Sequence, residues 1–292
     1  MRRALLLLAV GVSSVGAAAP LIRLVQAPPV TTAFLRTLIG GLVMLAMVLA
    51  TRRPLPRGAD LRRALACGVL LGVHFALWFA SLTLTTVAAS TVLVCTQPVF
   101  VALLAWLLLR ERTPRRGVLG IAIAVIGCAG IALDPTEPAG IAAQPLAGNL
   151  MALAGAVVIA GYPIVARGMS RGVDTLAFSA VVALGAAATL ALACLMTGSP
   201  LLEPGAHWAA LVTLAIVPTV IGQTALNAAL KLLPAAFVSG AILGEPVIAT
   251  AIAWGFLQEA PGAQTLGGSA LVLAGVWLLL SRVPALNPSD PP

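Results

Sequence analysis

Two stretches of this 292-residue sequence, QPVFVALLAWLLLRE at 97–111 and EPVIATAIAWGFLQE at 245–259, follow one pattern. Each begins with a polar residue and Pro-Val, continues through an apolar run that contains a single tryptophan, and ends in glutamate. The matching positions lie 148 residues apart, as Pro98 and Pro246 do. A repeat of this kind indicates that the chain consists of two related halves.

The match extends on both sides of these stretches. Gly120 and Gly127 recur as Gly268 and Gly275 with the same offset, and weaker matches continue upstream. Glycines spaced in this way within apolar runs favour close contact between helices. We divide the chain into a first repeat, a second repeat and a short tail, at 1–140, 141–283 and 284–292.

Composition places the chain in a lipid bilayer. Apolar residues make up 60% of the sequence and charged residues 9%, and the mean hydropathy is +1.07. A soluble domain carries about 25% charged residues, because its surface faces water. Water-soluble enzymes, secreted disulfide scaffolds and disordered chains are therefore excluded. The net charge of +8 does not indicate a nucleic-acid partner, since the basic residues lie between apolar runs.

Ten apolar runs are long enough to cross a membrane as helices, which takes about 20 residues each. The first run imitates a secretory signal with a cleavage site at 17–19, but we assign it as a helix because the second half contains its counterpart. We predict an all-α integral membrane protein with ten transmembrane helices. The runs are 4–23, 30–50, 61–83, 87–109, 116–133, 145–166, 174–196, 206–229, 233–257 and 263–281.

The distribution of Lys and Arg predicts how the helices are oriented. Ten helices put both termini and every even-to-odd connection on one side, which carries fifteen of the 17 basic residues. The other side carries at most Arg23. By the positive-inside rule both termini are cytoplasmic, in what we expect to be the bacterial inner (plasma) membrane. The fifteen are Arg2, Arg3, Arg52, Arg53, Arg57, Arg62, Arg63, Arg110, Arg112, Arg115, Arg116, Arg167, Arg171, Lys231 and Arg282.

Five helices in each half make the second repeat inverted relative to the first, an architecture typical of secondary transporters with a site between the halves. Each half resembles the EamA module of the drug/metabolite transporter superfamily. The resemblance is carried by Pro29-Val30 followed by Arg36, by Pro98 with Trp106 and Glu111, and by the repeat of that second pattern from Pro246. It implies similarity to bacterial exporters of amino acids and related metabolites, including the YddG-type exporters of aromatic amino acids.

Polar residues within the apolar runs are candidates for substrate binding, because such residues usually face a cavity or another helix. Glu245 is a proton carrier, a counter-charge for a substrate ammonium, or a neutral hydrogen-bonding residue; its repeat partner, Gln97, cannot titrate. His74 and Trp78 share a helix face that suits a cavity wall. Tyr162 either hydrogen-bonds or packs. The candidates are His74, Trp78, Gln97, Tyr162, Gln223, Asn227 and Glu245.

Prolines and one arginine are candidates for helix kinks and gating. A proline inside a helix removes a backbone donor and frees carbonyl groups. Arg36 lies about two turns inside the second helix and either snorkels outward or attracts a substrate carboxylate; we favour a structural or gating role. Its repeat counterpart is Ala180. The candidates are Pro20, Pro98, Pro163, Pro246 and Arg36.

The pattern predicts a secondary transporter that exports amino acids or related small metabolites by alternating access. Export of cationic drugs or other metabolites is the alternative. A membrane-embedded enzyme, from another class, would need paired carboxylates, a metal cluster or a nucleophile–base pair, and we find none in the sequence. We expect a monomer in the bilayer, with no cofactor and no metal. Glu111, which lies among arginines, is interpreted as half of a solvated cytoplasmic ion pair with them.

Overall fold

The computed structural model describes residues 2–85, 87–133, 144–169, 172–257 and 261–281. The predicted tail lies outside these ranges, and so do Arg171, Glu259 and Arg282. Within them every regular element is helical, and ten helices are long and apolar enough to span a membrane, which confirms the predicted fold class. The membrane-spanning parts of helices α1 to α10 are Arg2–Ile22, Pro29–Ala50, Gly58–Ser81, Ser90–Leu108, Arg115–Ala132, Pro145–Arg167, Thr175–Thr197, Trp208–Leu230, Ala235–Phe256 and Ala263–Leu280, and the helical residues of α1, α3, α4 and α9 extend slightly beyond these bounds.

The ten helices give the bundle two ends. We call the end at which α1 begins and α10 ends the basic face, because most arginines lie there, and the other end the opposite face. The lateral surface between them is strongly apolar. Met196, Phe256 and Trp277 are 79%, 83% and 71% exposed, respectively. A surface this apolar is compatible with lipid rather than with water.

Contacts between α5 and α10 show that the repeats are inverted. A Cβ atom on Gly120 would lie 2.6 Å from the carbonyl oxygen of Gly275, and one on Gly127 would lie 2.6 Å from that of Gly268. The glycines therefore contact their partners crosswise, as two antiparallel helices related by a twofold axis in the membrane plane require. The prediction of close helix contact at these glycines is confirmed.

Two symmetry-related helices, α4 and α9, are interrupted. Regular α-helix ends in the first at Val94 and in the second at Ile242. The physical cause is the proline four residues later, since Pro98 and Pro246 have no N–H to donate to those carbonyls. A new segment begins with the proline in its first turn, where a missing N–H costs little. The segments are Val87–Val94 and Gln97–Leu108 in α4, and Ala235–Ile242 and Glu245–Leu257 in α9.

Packing between the two repeats forms the interior. The helix α3 packs along α6 and α7, α2 packs along α7, and α1 packs along α8. The first helix is thus part of the bundle, with Ala4 and Leu8 buried in the central core. It consists of two segments, Arg2–Gly16 and Ala18–Val25, and Pro20 lies in the first turn of the second. The largest contacts join helices of different repeats, so the space enclosed between them belongs to both.

Candidate functional site

The helices α4 and α9 pack together on the basic-face side of their interruptions. Their basic-face segments, Gln97–Leu108 and Ala235–Ile242, pack together, and Gln97 Nε2 donates to Ser239 Oγ over 3.3 Å. In the described part of the chain, the opposite-face segment of α4 packs against α6, and that of α9 packs against α1. The space between the repeats is therefore closed toward the basic face, while toward the opposite face the two helices pack against different partners.

Below the interruptions, toward the basic face, four polar side chains form one hydrogen-bonded network. Gln223 Nε2 donates to the Tyr162 hydroxyl over 2.8 Å, and that hydroxyl donates to Asn227 Oδ1 over 2.7 Å. Asn227 Nδ2 then donates to Ser179 Oγ over 2.9 Å. Asn227 and Ser179 are fully buried and Tyr162 is 5% exposed. We call these four residues the polar cluster; it joins α6, α7 and α8.

The geometry of α8 brings two of these residues into position. Residues Ala215–Gln223 form a π-helix, and Thr219 Oγ1 donates to the carbonyl of Leu214, five residues back, over 3.4 Å. A π-helical stretch widens the turn and shifts every later side chain around the helix axis. Pro218, which lies within it, was the one signal in the sequence. Ser179 has no such signal, because a serine in an apolar run is unremarkable until its neighbours are known.

The basic face is closed by an ion pair between helix ends. Glu111, just past the end of α4, accepts from Arg167 Nε of α6 over 3.1 Å and from the backbone N–H of Ala235 at the start of α9 over 3.3 Å. Arg167 Nη1 also donates to the carbonyl of Leu230 at the end of α8, over 3.2 Å. The expectation that Glu111 pairs with the neighbouring arginines is thus wrong. Its partner belongs to the other repeat, and both side chains are largely buried.

A second set of contacts lies beside this ion pair on the basic face. Lys231 Nζ donates to the carbonyl of Val173, and Arg53 Nη1 lies 3.0 Å from Asp174 Oδ2. Partial burial lowers the pKa of the Lys231 ammonium, and the nearby carboxylates of Asp174 and Asp60 oppose that shift. The Arg53 side chain is 45% exposed, so this second ion pair is far more solvated than the first.

Above the interruptions, toward the opposite face, α3 carries four aromatic rings in contact. His74 and Trp78 are stacked with their centroids 6.1 Å apart, and Trp78 is stacked on Phe79 at 5.1 Å. Phe75 lies 5.4 Å from His74. We call these four residues the aromatic cluster. His74 Nδ1 donates to the carbonyl of Gly155 in α6 over 3.0 Å, which fixes the imidazole in place.

Arg36 extends from α2 onto the aromatic cluster. Its guanidinium carbon lies 4.7 Å from the centroid of the Phe75 ring, a cation–π geometry. The residue is only 8% exposed, so the interpretation that it snorkels to the surface is wrong. Its Nε–H and the indole N–H of Trp78 are both buried without a hydrogen-bond partner. A buried N–H group without a hydrogen-bond partner is energetically costly, and a ligand that accepts a hydrogen bond from it removes that cost.

Glu245 begins the opposite-face segment of α9, near the middle of the membrane. It is close enough to Arg36 for the two charges to interact electrostatically. The two side chains do not form an ion pair within 4.0 Å; the ion pairs found among the described residues lie at the basic face. An acidic group and a basic group from different repeats are thus near each other but not in contact.

The predicted site residues therefore fall into separate groups. Tyr162, Gln223 and Asn227 lie in the polar cluster, His74 and Trp78 in the aromatic cluster, and Gln97 and Glu245 at the two interruptions. Pro163 is buried in α6, which continues through it without interruption from Pro145 to Arg167. The residues that the sequence did not single out are Ser179, Phe75, Phe79 and Ser239.

Known proteins resemble the chain over nearly its whole length. The sequence profile of the EamA-like transporter family matches residues 2–133 and 146–281. A relative from Streptantibioticus cattleyicolor, described as a probable terminal-alkyne amino-acid exporter, is 30% identical over 248 residues, which cover 83% of this chain and 80% of the relative. The uncharacterized transporter YwfM of Bacillus subtilis is 25% identical over 261 residues, covering 89% and 86%. A crystal structure of a protein 24% identical superposes with a TM-score of 0.79, covering 95% of this chain and 96% of the other.

Proposed function

We propose that this chain, which belongs to the EamA-like transporter family, is a secondary carrier that exports amino acids or related small metabolites across the bacterial inner membrane. The family match covers both repeats, so the chain is a multi-pass membrane transporter. The substrate class, the direction of transport and the orientation go beyond that match. They form the proposal.

The closure on one face is the observation that carries an alternating-access mechanism. The two interrupted helices pack together on the basic-face side, where Glu111 and Arg167 join the repeats, and pack against different helices on the other side. In an inverted repeat, exchanging the conformations of the two halves opens the closed face and closes the open one. The breaks at Gln97 and Glu245 supply the bending points. With the basic face in the cytoplasm, this conformation is the outward-facing one.

The proposed substrate-binding residues are the seven polar residues between the repeats: His74, Trp78, Gln97, Tyr162, Gln223, Asn227 and Glu245. Amino acids as substrates are supported by the relative at 30% identity, which is described as a probable amino-acid exporter. They are also supported by the nearby opposite charges of Arg36 and Glu245. Export of cationic drugs is the weaker candidate, because a buried guanidinium repels cations from the same space.

Flux through liposomes that contain only this protein tests the proposal. Vesicles loaded with one unlabelled amino acid are mixed with a trace of the same labelled amino acid, for each of a panel of amino acids and organic cations. We expect counterflow of at least one amino acid. His74→Ala and Gln223→Ala are expected to abolish it, while Trp277→Ala, on the lipid-exposed surface, keeps it. Counterflow of organic cations alone would contradict the proposed substrate class.

The orientation is tested separately. The charge asymmetry between the two faces predicts that both termini are cytoplasmic. A reporter that is active only in the cytoplasm is therefore expected to be active when it is fused to the C-terminus. Activity of a periplasmic reporter at the same position would overturn the orientation and, with it, the assignment of the structure as outward-facing.

A further inference from the structure

Arg36 is a buried charge that the packing of the protein does not account for. It has no counterpart in the second repeat, where Ala180 occupies the related position and is fully buried. A charged residue within a membrane helix is costly to insert, and such residues usually have a functional partner. The guanidinium, which is a group that binds anions, is thus present in one repeat and absent from the other. Binding of substrate explains this difference between the repeats, because packing does not.

The contacts of Arg36 leave its Nε–H unused. The guanidinium carbon lies 4.7 Å from the centroid of the Phe75 ring, and a ring accepts no conventional hydrogen bond in the way that a carboxylate oxygen does. The Nε–H is buried without a partner, and so is the indole N–H of Trp78 on the same aromatic cluster. A carboxylate accepts two N–H bonds from one guanidinium in this plane.

Glu245 supplies the opposite charge from the other repeat. It interacts electrostatically with Arg36 but lies beyond ion-pair distance from it. Its counterpart is the neutral Gln97, so the acidic group, like the basic one, is present once in the chain. A positive and a negative group that are near each other without direct contact are complementary to a molecule that carries an ammonium and a carboxylate on the same carbon atom.

From these contacts we infer that Arg36 and Glu245 form a subsite for the zwitterionic part of an α-amino acid. Arg36 binds the carboxylate, Glu245 binds the ammonium, and the amino-acid side chain lies beside His74 and Trp78. This inference rests on the proposed function, since it assumes that amino acids are the substrates. The bound zwitterion neutralises both groups at once, and neither an amine nor a carboxylic acid can do so.

The inference predicts a specific pattern of selectivity. For every amino acid that shows counterflow, two competitors keep the side chain and remove one charge: the α-amide lacks the carboxylate, and the N-acetyl derivative lacks the ammonium. Each leaves Arg36 or Glu245 without its partner, so we expect each to compete at least about tenfold more weakly than the amino acid itself. The measurement is inhibition of labelled counterflow in liposomes.

Two variants test whether Arg36 binds the substrate carboxylate and Glu245 the substrate ammonium. With Arg36→Gln, the carboxylate no longer matters, and the α-amide is expected to compete within about threefold of the amino acid. With Glu245→Gln, which copies the residue of the first repeat, the N-acetyl derivative gains in the same way and the α-amide does not. Arg53→Gln, an exposed arginine at the basic face, is the control and keeps wild-type selectivity.

Each outcome decides the inference. A change of selectivity in either variant for its own competitor supports it, so it stays testable if only one of the two folds. If wild-type protein exchanges amino acids but accepts the amide and the N-acetyl derivative equally well, the inference is wrong and the proposed function stands. The same holds if both variants keep the wild-type preference. If no amino acid shows counterflow, the proposed function and the subsite fail together.

Discussion

In the basic-face half of the bundle, Tyr162, Asn227 and Ser179 satisfy one another's hydrogen bonds, whereas in the opposite half Arg36 and Trp78 each keep a buried N–H without a partner. The two regions lie within one bundle and contain comparable residue types. They differ in whether the buried polar groups find hydrogen-bond partners within the protein. In the basic-face half they do, and the resulting hydrogen bonds join α6, α7 and α8.

This difference separates closing contacts from binding contacts. A polar group that is already paired resists opening, because separating the helices leaves both partners unsatisfied in a medium without water. A polar group that is unpaired loses nothing when a ligand arrives and gains a partner. In this conformation the polar cluster and the Glu111–Arg167 pair therefore stabilise the closed face, and in the proposed mechanism Tyr162, Gln223 and Asn227 bind substrate by exchanging these hydrogen bonds for bonds to it. The aromatic cluster with Arg36 already has unpaired N–H groups for substrate.

The largest effect is expected at the closing ion pair. Arg167→Ala leaves the Glu111 carboxylate largely buried with only the Ala235 N–H, and should lower the free energy of unfolding by about 2 kcal/mol, between the values of exposed and buried pairs. Arg53→Ala, which removes the solvated pair with Asp174, should cost about 0–1 kcal/mol. Unfolding by denaturing detergent in mixed micelles measures both. Equal losses of unfolding free energy in the two variants would show that burial does not strengthen the Glu111–Arg167 pair.

A smaller loss is expected within the polar cluster. Tyr162→Phe keeps the ring and removes the hydroxyl that accepts from Gln223 and donates to Asn227. Hydrogen bonds between membrane helices contribute about 0.6 kcal/mol each and at most about 1.7, so the loss should be about 1–2 kcal/mol. The same unfolding assay applies. No change in stability would show that the network forms without stabilising the closed half.

The smallest effect compares two serines and predicts opposite signs. Ser179 accepts a hydrogen bond from Asn227, whereas the hydroxyl of Ser269, in α10, is buried without a partner. Ser179→Ala should therefore destabilise the protein by about 0.6 kcal/mol. Ser269→Ala removes an unsatisfied group, and the protein should be unchanged or about 0.5 kcal/mol more stable. Losses of the same size at both positions would contradict the distinction between paired and unpaired groups.

Much of the fold followed from local properties of the sequence. Runs of about 20 apolar residues form helices in a bilayer because only then is each backbone N–H and C=O paired within its own segment. The interruptions at Val94 and Ile242 are local too, because each is set by a proline four residues later. The inverted arrangement followed from counting helices in a repeated sequence, and the crosswise contacts of Gly120 and Gly127 are its direct consequence.

The pairing of polar side chains, in contrast, was decided by tertiary structure. Tyr162 and Asn227 are 65 positions apart, and the π-helix in α8 alters the direction of everything after it. Glu111 was assigned to its neighbours in sequence, but its partner is Arg167 of the other repeat. Sequence spacing specifies which residues share a face of one helix. Which faces meet, and so whether a buried polar group has a partner, depends on the packing of helices far apart in the chain.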